Sequence, residues 1–246
     1  MKSVLITGAN KGIGFETARQ LLKEGLYVYL GSRNIENGLK AVEKLKVEGF
    51  NQVEFIHIDI TDEASIASAR TTIEEKAGSL DVLINNAGIA GAFPQTALTT
   101  DTDNFKRVFD TNLYGTARVI QAFMDILKKS PEPQLINVSS SIGSLSLHND
   151  PDWQYYDDAN SFAVYSSSKA ALNMYTITLT YELRDSNVKI TMVDPGYTKT
   201  DFNGHQGTGT VEDAATRVVN ALLHNQRPSG SFISEETNPE TGEISW

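Results

Sequence analysis

Short apolar runs alternate along the chain with longer segments in which apolar residues recur at helical spacing. The runs Ser3–Ile6 and Gln134–Val138 are typical of strands that are buried on both faces of a parallel sheet. The segment Phe15–Glu24 has the spacing of an amphipathic helix. Further strands are predicted at Tyr27–Leu30, from Val53, at Leu80–Ile84, before Pro195 and near Gly230–Ser234. This alternation predicts an α/β fold, a doubly wound parallel sheet of seven strands with helices on both faces.

Length and composition limit what such a chain can be. Its 246 residues fit a single domain spanning 1–246, because no Pro- or Gly-rich linker and no internal repeat divides them. The chain has no cysteine, which excludes disulfides and thiolate chemistry. The four histidines show no metal-ligand spacing, so no metal is expected.

Charge and hydropathy also restrict the partners. A formal net charge of −10 disfavours nucleic acid and anionic membranes. Met1 and Lys2 lead directly into the first strand, and no apolar run is long enough to span a bilayer. We therefore expect a cytoplasmic protein that acts on a small molecule.

A glycine-rich turn joins the first strand to the first helix. Its spacing, Gly8-x-x-x-Gly12-x-Gly14, lets the backbone turn sharply and lets phosphate oxygens approach its N–H groups at a helix N-terminus. It differs from the general Gly-x-Gly-x-x-Gly dinucleotide fingerprint. By itself the turn is compatible with a dinucleotide pyrophosphate or with a simple strand-to-helix connection.

Cations follow the first two strands. Arg33 lies just after the second strand, where an acidic residue would favour NAD and an arginine accommodates the 2′-phosphate of NADP. Lys11, within the glycine turn, can approach the same phosphate from the other side. The alternative is that both are solvated surface charges. NADPH is the favoured cofactor.

The third and fourth strands end in polar or small residues. Asp59 can accept a hydrogen bond from the adenine amino group, or it can cap the following turn. The segment Asn85–Gly88 lets a cofactor lie against the backbone, while its side-chain amides tie neighbouring strands together.

Hydroxyl and amine groups complete the candidate chemistry. Ser139–Ser141 follow the fifth strand, a run that alone is more typical of a loop than of a site. Tyr165 and Lys169 lie one turn apart in a segment of helical character that ends near Arg184. A neighbouring ammonium lowers the pKa of a phenol, so this pair can hold and move a proton, although such pairs also occur by chance.

Taken in order, these segments resemble one family. The glycine turn, Asn85–Gly88, Asn112, Ser140, Tyr165 with Lys169, and Pro195–Gly196 resemble the short-chain dehydrogenase/reductase family, and within it the NADPH-dependent carbonyl reductases. The resemblance covers about residues 2–234. It implies a Rossmann-type fold and an NADPH-dependent oxidoreductase that reduces an aldehyde, ketone or quinone to an alcohol by hydride transfer.

The resemblance implies roles for four residues near the reacting atoms. Tyr165 would be the general acid, and Lys169 would lower its pKa and hold the nicotinamide ribose. Ser140 would hydrogen-bond the substrate oxygen as negative charge develops on it. Asn112 would keep a local helix distortion and a water that relays protons through Lys169.

The remaining implied contacts are with the cofactor. Lys11 and Arg33 match positions that hold the 2′-phosphate in carbonyl reductases. Thr200, with Thr198 as a substitute, would contact the nicotinamide carboxamide, and Asn86 and Asp59 would line the adenosine side. The implied cofactor-binding residues are Gly8, Asn10, Lys11, Gly12, Ile13, Gly14, Arg33, Asp59, Ile60, Asn86, Ala87, Gly88, Tyr165, Lys169, Pro195, Gly196, Thr198 and Thr200.

The chain departs from the family pattern in one segment. Between Ser140 and Tyr165 lie 24 residues, more than in most family members, and the excess is an acidic, aromatic insertion at 147–160. It either shapes the substrate pocket or blocks a subunit contact, so monomer and homo-oligomer both remain open. The glycine-rich segment 201–210 is expected to be a mobile loop over the substrate.

Two other functions remain compatible with the sequence. One is an NADP-dependent alcohol dehydrogenase working in the oxidative direction. The other is a dinucleotide-binding regulator without catalysis, because a fold alone does not guarantee chemistry.

Overall fold

The computed structural model describes residues Met1–Trp246, whose strands form one parallel sheet. The strands are β1 Ser3–Ile6, β2 Tyr27–Ser32, β3 Val53–His57, β4 Val82–Asn85, β5 Gln134–Val138, β6 Lys189–Val193 and β7 Ser231–Ile233. Their order across the sheet is β3-β2-β1-β4-β5-β6-β7. The seven-stranded Rossmann-type fold predicted from the sequence is confirmed. Because the order reverses between β1 and β4, a crevice opens there at the carboxyl ends of the strands.

Helices connect the strands on both faces of the sheet. They are α1 Gly12–Lys23, α2 Ile35–Val47, α3 Glu63–Ala77, α4 Thr102–Phe109, α5 Thr116–Leu127, α6 Leu145–His148, α7 Tyr156–Ala159, α8 Ala163–Glu182 and α9 Val211–Leu223. Short 3₁₀ turns occupy Ser141–Gly143 and Asp201–Asn203, and a π-helical turn occupies Asp110–Gly115. None of the helices has both the length and the apolar composition needed to cross a lipid bilayer.

The alternation of side chains along each strand builds two cores. In β1, Val4 and Ile6 belong to a core on one face of the sheet, which α1, α2 and α9 cover. Leu5 belongs to the core on the opposite face, which α3 and α5 cover. Both faces of the strand are therefore buried, as its uninterrupted apolar sequence predicts.

Side chains cap the N-termini of four helices but not that of α1. Asn34, Asp62, Asp101 and Thr210 cap α2, α3, α4 and α9 by accepting hydrogen bonds from backbone N–H groups in the first turn. No side chain caps the first turn of α1, which follows the glycine turn. Its N–H groups therefore stay available at the carboxyl edge of the sheet.

Two segments differ from a simple reading of the sequence. The helical segment that contains Asn112 begins at Thr102, because α4 runs directly into the π-helical turn at Asp110. Within α4, Val108 is buried and Phe105 and Phe109 are partly buried, which gives an apolar face to a stretch that is otherwise polar. The insertion at 147–160 is not a featureless loop, because it carries the end of α6 and the whole of α7.

Candidate active site

One cavity of about 1110 Å³ runs along the carboxyl ends of the strands. All the residues predicted to bind cofactor or to catalyse line this cavity, with the exception of Asn112, which is buried behind it. The structure therefore brings together residues that are far apart in the sequence, such as Gly8, Tyr165 and Thr200.

The glycine turn is held tightly against the end of β4. Asn86 Nδ2 donates to the carbonyls of Thr7 at 2.9 Å and of Gly8 at 3.1 Å. Thr7 Oγ1 accepts from the backbone N–H groups of Asn86 and Ala87, both at 3.1 Å. A Cβ on Gly14 would lie 2.8 Å from Gly8 O and would collide with the Asn86 amide. The third glycine is thus required by close packing of the turn, and the turn forms a cradle lined by backbone N–H groups.

The outer end of the cavity carries Arg33 and Asp59. Arg33 is exposed and lines the cavity. Asp59 Oδ1 accepts from Thr61 N at 2.9 Å and from Thr61 Oγ1 at 2.8 Å. Burial opposes ionisation of Asp59, but these hydrogen bonds and the charge of Arg33 outweigh it and lower the pKa of the carboxyl group. These contacts cap the turn through one oxygen of Asp59, and its contact with adenine stays a prediction.

Lys11 makes a contact that the sequence did not predict. Its Nζ lies 2.9 Å from Asp201 Oδ2, and His205 Nε2 lies 3.1 Å from the other oxygen of Asp201. The hydrogen bond from Lys11 and its charge lower the pKa of Asp201. The lysine expected beside a 2′-phosphate therefore ties the glycine turn to the segment 201–210.

The three consecutive serines have different surroundings. Ser139 is buried, and its hydroxyl donates to Asn173 Oδ1 at 2.6 Å. Ser141 is also buried and begins the 3₁₀ turn. Ser140 is only half-buried, and its hydroxyl has no hydrogen-bond partner within the protein. The Ser141 hydroxyl also lacks a hydrogen-bond partner within the protein, and both serines line the cavity. Ser140 is the more exposed of the two, so its hydroxyl is the more accessible to a ligand.

Lys169 is buried beneath Tyr165 on α8. Its Nζ donates to Val138 O at 2.8 Å and lies 5.7 Å from the centre of the Tyr165 ring. Burial lowers the pKa of Lys169 to about 8, although the carboxylate of Asp194 opposes the shift.

The effect on Tyr165 is opposite to that expected from the sequence. Burial and the negative charge of Asp194 raise the pKa of the Tyr165 phenol. The direction expected from the sequence was wrong, because burial disfavours the charged phenolate and the carboxylate of Asp194 adds repulsion. At neutral pH Tyr165 therefore retains its proton.

Asn112 lies in the π-helical turn Asp110–Gly115, so the helix distortion expected around it is present. The side chain is 1% exposed. Its Oδ1 accepts from Ile89 N at 2.8 Å, and its Nδ2 donates to Ile89 O at 2.9 Å and to Ser168 Oγ at 3.0 Å. Asn112 thereby ties the segment after β4 to α8.

In the segment after β6, the threonine hydroxyls form hydrogen bonds with backbone groups of the same segment. Thr198 is buried and donates to Gly196 O at 3.1 Å. Thr200 caps the turn Asp201–Asn203 in a reciprocal arrangement with Asn203. Asp194 accepts from Ser234 Oγ at 2.7 Å and from Gly196 N at 3.0 Å. Sequence reasoning missed Asp194, although a carboxylate at the end of a predicted strand, just before Pro195, is a recognisable signal.

Aromatic side chains surround the space above Tyr165. The Phe202 ring meets the Tyr165 ring edge to face, with centres 5.3 Å apart. Phe162 and Ile142 also line this part of the cavity. From the insertion come Tyr155, Asp158 and Ala159, and Tyr155 packs edge to face on Tyr197. The insertion therefore contributes directly to the cavity wall, and most of this wall is apolar or aromatic.

A parallel sheet with a glycine cradle at its switch point and a Tyr–Lys pair beside it defines a class of dinucleotide-dependent oxidoreductases. Residues 2–210 match the profile of the short chain dehydrogenase family. The "Short-chain dehydrogenase anuI" of Penicillium roqueforti is 35% identical over 238 residues, 95% of this chain and 94% of the relative. A (+)-neomenthol dehydrogenase of Capsicum annuum is 34% identical over 297 aligned positions, 93% of this chain and 94% of the relative.

Solved structures also show this similarity. The crystal structure of NADPH-bound carbonyl reductase from chicken fatty liver is 29% identical, covers all of this chain and 99% of its own, and has a TM-score of 0.84. The chain belongs to the short-chain dehydrogenase/reductase family. It is therefore an oxidoreductase of small molecules, in a family that uses a nicotinamide dinucleotide.

Proposed function

We propose that this protein is an NADPH-dependent carbonyl reductase in which Tyr165 is the general acid. The observation that carries the proposal is the placement of a protonated phenol, the unengaged hydroxyl of Ser140 and the ammonium of Lys169 in one cavity, next to the glycine cradle. These are a proton donor, a hydrogen-bond donor for a developing alkoxide and a cation, which are the groups that carbonyl reduction requires.

The residues around the cradle fit a dinucleotide. The first turn of α1 presents uncapped N–H groups, and Gly14 leaves space that a Cβ would fill. An anionic pyrophosphate matches such a helix N-terminus. Arg33 would hold the 2′-phosphate through its guanidinium fork, with Lys11 available if its bond to Asp201 opens. The printed description of the chicken carbonyl reductase, which names bound NADPH, supports this choice of cofactor.

When bound, the nicotinamide would supply a hydride to the carbonyl carbon of the substrate. Tyr165 would donate its phenolic proton to the carbonyl oxygen, so that one C–H bond and one O–H bond form and the product is an alcohol. Ser140 would donate a hydrogen bond to the same oxygen while negative charge develops there. The ammonium of Lys169, 5.7 Å from the ring centre, would stabilise the phenolate that remains.

The raised pKa of Tyr165 keeps the phenol in the protonated form that a general acid needs for carbonyl reduction. A general acid must carry its proton before the reaction, whereas alcohol oxidation needs the phenolate. The aromatic wall formed by Phe162, Phe202 and Tyr155 favours an apolar carbonyl compound, and Asp158 in the same cavity disfavours an anionic one.

The experiment is consumption of NADPH and of NADH against a panel of aldehydes, cyclic ketones, diketones and quinones, with binding of both cofactors measured in parallel. We expect turnover that prefers NADPH. Tyr165→Phe is expected to abolish turnover and to leave the NADPH dissociation constant nearly unchanged. Tyr181→Phe, at an exposed position of the same helix, is the matched control and should retain full activity.

Three results would contradict the proposal. Undiminished turnover by Tyr165→Phe would remove the catalytic assignment. Turnover that prefers NADH would remove the cofactor assignment. Tight NADPH binding without turnover of any panel member, in either direction, would favour a dinucleotide-binding regulator.

A further inference from the structure

A closed ring of hydrogen bonds holds the backbone of Tyr165 on both sides. On one side, Gln95 Oε1 accepts from the N–H groups of Tyr165 at 3.0 Å and of Val164 at 3.2 Å. On the other side, Ser168 Oγ donates to Tyr165 O at 2.7 Å. Asn112 closes the ring, because it donates to Ser168 Oγ and binds both backbone groups of Ile89.

Gln95 is the member of this ring that no sequence motif indicates. It is 1% exposed, and its Nε2 donates to Ala90 O at 2.6 Å. Ala90 follows Ile89 directly, so the bond carries the ring from Asn112 to Gln95. The Gln95 amide therefore uses its acceptor on α8 and its donor on the segment after β4.

The position of Gln95 at a helix start explains why its acceptor matters. The first N–H groups of a helix have no partner within the helix. The N-cap residue of α8, Phe162, supplies no side-chain acceptor. Gln95 fills this role from 70 residues away, and it binds the N–H of the residue that carries the reacting phenol. Without it, the N–H groups of Val164, which is buried, and of Tyr165, which is partly buried, would lack partners within the protein.

The segment that carries Gln95 is itself anchored. Asn104 Nδ2 donates to Ala92 O and its Oδ1 accepts from Ala92 N, both at 2.9 Å. Asn112 binds Ile89 in the same two-way manner. Two asparagines of consecutive helical segments thus fix the backbone on which Gln95 stands.

We propose that Gln95 is a positioning residue: by binding the first turn of α8, it fixes the position of the Tyr165 phenol in the cavity. The inference rests on the proposed role of Tyr165 as general acid. Gln95 does not touch the reacting atoms, so its effect reaches the phenol only through the first turn of α8. A small displacement of a reacting group is costly, since about 1 Å of misplacement can reduce a rate roughly 100-fold.

The test compares three substitutions at Gln95 in the full-length protein, with a carbonyl substrate found in the panel above. Gln95→Met is nearly isosteric and removes both hydrogen-bonding groups. We expect it to lower kcat by about 10- to 100-fold and to change the NADPH dissociation constant and the substrate KM by less than about threefold. Gln95→Glu keeps an acceptor for both N–H groups, which is favoured at a helix N-terminus, but it loses the donor to Ala90 O. It is therefore expected to recover part of the lost kcat.

The third substitution, Gln95→Ala, keeps the test possible if Gln95→Met does not fold. Gln95→Ala leaves space in which water can bind the two amides, and it carries the same expected loss of kcat. Gln52→Met, at an exposed position, is the matched control and should keep the wild-type kcat and melting temperature.

The outcomes separate this inference from the function it depends on. A folded Gln95→Met or Gln95→Ala variant with wild-type kcat, tested beside an inactive Tyr165→Phe, would overturn the positioning role and leave the general acid in place. If Tyr165→Phe keeps full turnover, the proposed function itself fails.

Discussion

Lys11 Nζ and Asp201 Oδ2 lie 2.9 Å apart, which joins the glycine turn at the start of the chain to the segment that follows β6. Both side chains are more than half exposed. In the proposed complex the 2′-phosphate of the cofactor would also bind Lys11, so Asp201 competes with the cofactor for this lysine. The pair would have to open, or to be shared, when NADPH binds.

We therefore expect Asp201→Asn to strengthen NADPH binding. The loss of the carboxylate frees Lys11 for the phosphate, and the gain should be modest, about two- to fivefold in dissociation constant, because exposed ion pairs contribute little. The gain should shrink at high salt and should be absent for NADH. Fluorescence titrations with both cofactors check this.

The matched control for that measurement is Asp103→Asn, which breaks an exposed pair with Lys106 on α4. It should leave both dissociation constants unchanged. Equal tightening of NADPH and NADH by Asp201→Asn would mean that the pair acts on access to the cleft and not on phosphate recognition.

Arg33 is expected to select NADPH over NADH. Arg33→Asp replaces the guanidinium at the outer end of the cavity with a carboxylate, which repels a 2′-phosphate and can accept from a ribose hydroxyl. The NADPH dissociation constant should rise by about 10- to 100-fold while that of NADH changes little or falls.

Asn86→Ala is the comparison variant for Arg33→Asp, because it should affect the binding of both cofactors. It removes the two hydrogen bonds from the Asn86 side chain to the glycine turn, while those to Thr7 Oγ1 remain. Because the turn faces the pyrophosphate common to both cofactors, this variant should weaken NADPH and NADH equally, by about tenfold. A change in the preference between the two cofactors upon Asn86→Ala, or none upon Arg33→Asp, would place phosphate recognition elsewhere.

Adjacent serines offer a sharp test of the oxyanion assignment. Ser140→Ala should lower kcat by about 100-fold, since its hydroxyl has no partner in the protein and lines the cavity. Ser139→Ala should leave kcat within a few-fold and should lower the free energy of unfolding by about 1 to 2 kcal/mol, because it removes the hydrogen bond to the buried Asn173 Oδ1. Steady-state kinetics and urea unfolding measure the two effects, and the reverse pattern would exchange the roles.

The fold could be predicted largely from the sequence, because its signals are local. The apolar run of β1, the glycines after it and the spacing of Tyr165 and Lys169 each act within a few residues. The first turn of α1 needs Gly14 for a reason that the sequence suggests and the structure makes specific, the close approach of Asn86.

Contacts between residues far apart in the chain could not be predicted from the sequence. Nothing near Gln95 shows that it caps a helix 70 residues later, and nothing near Lys11 indicates Asp201. The pKa of Tyr165 was misjudged for the same physical reason. Local spacing shows the ammonium of Lys169, but the burial of the ring and the carboxylate of Asp194 depend on how β6 and α8 come together.

The buried ammonium of Lys169 should make stability depend on pH in a defined direction. In the ligand-free protein, burial lowers the pKa of Lys169 from 10.5 to about 8, and Asp194 and Tyr165 are the titratable groups that face it. In the unfolded chain the pKa returns to about 10.4. Between these values the unfolded state binds more protons, so the free energy of unfolding contributed by Lys169 rises with pH and is lowest below pH 8.

Urea unfolding of wild type and Lys169→Met across pH 7 to 9.5 isolates this contribution, because other groups cancel in the difference. The wild type should gain about 2 kcal/mol relative to Lys169→Met over that range. Lys23→Met, at an exposed position of α1, should show no such trend against wild type. If the difference between wild type and Lys169→Met is flat, Lys169 keeps an ordinary proton affinity in the fold. The desolvation that also raises the Tyr165 pKa would then be weaker than the structure indicates.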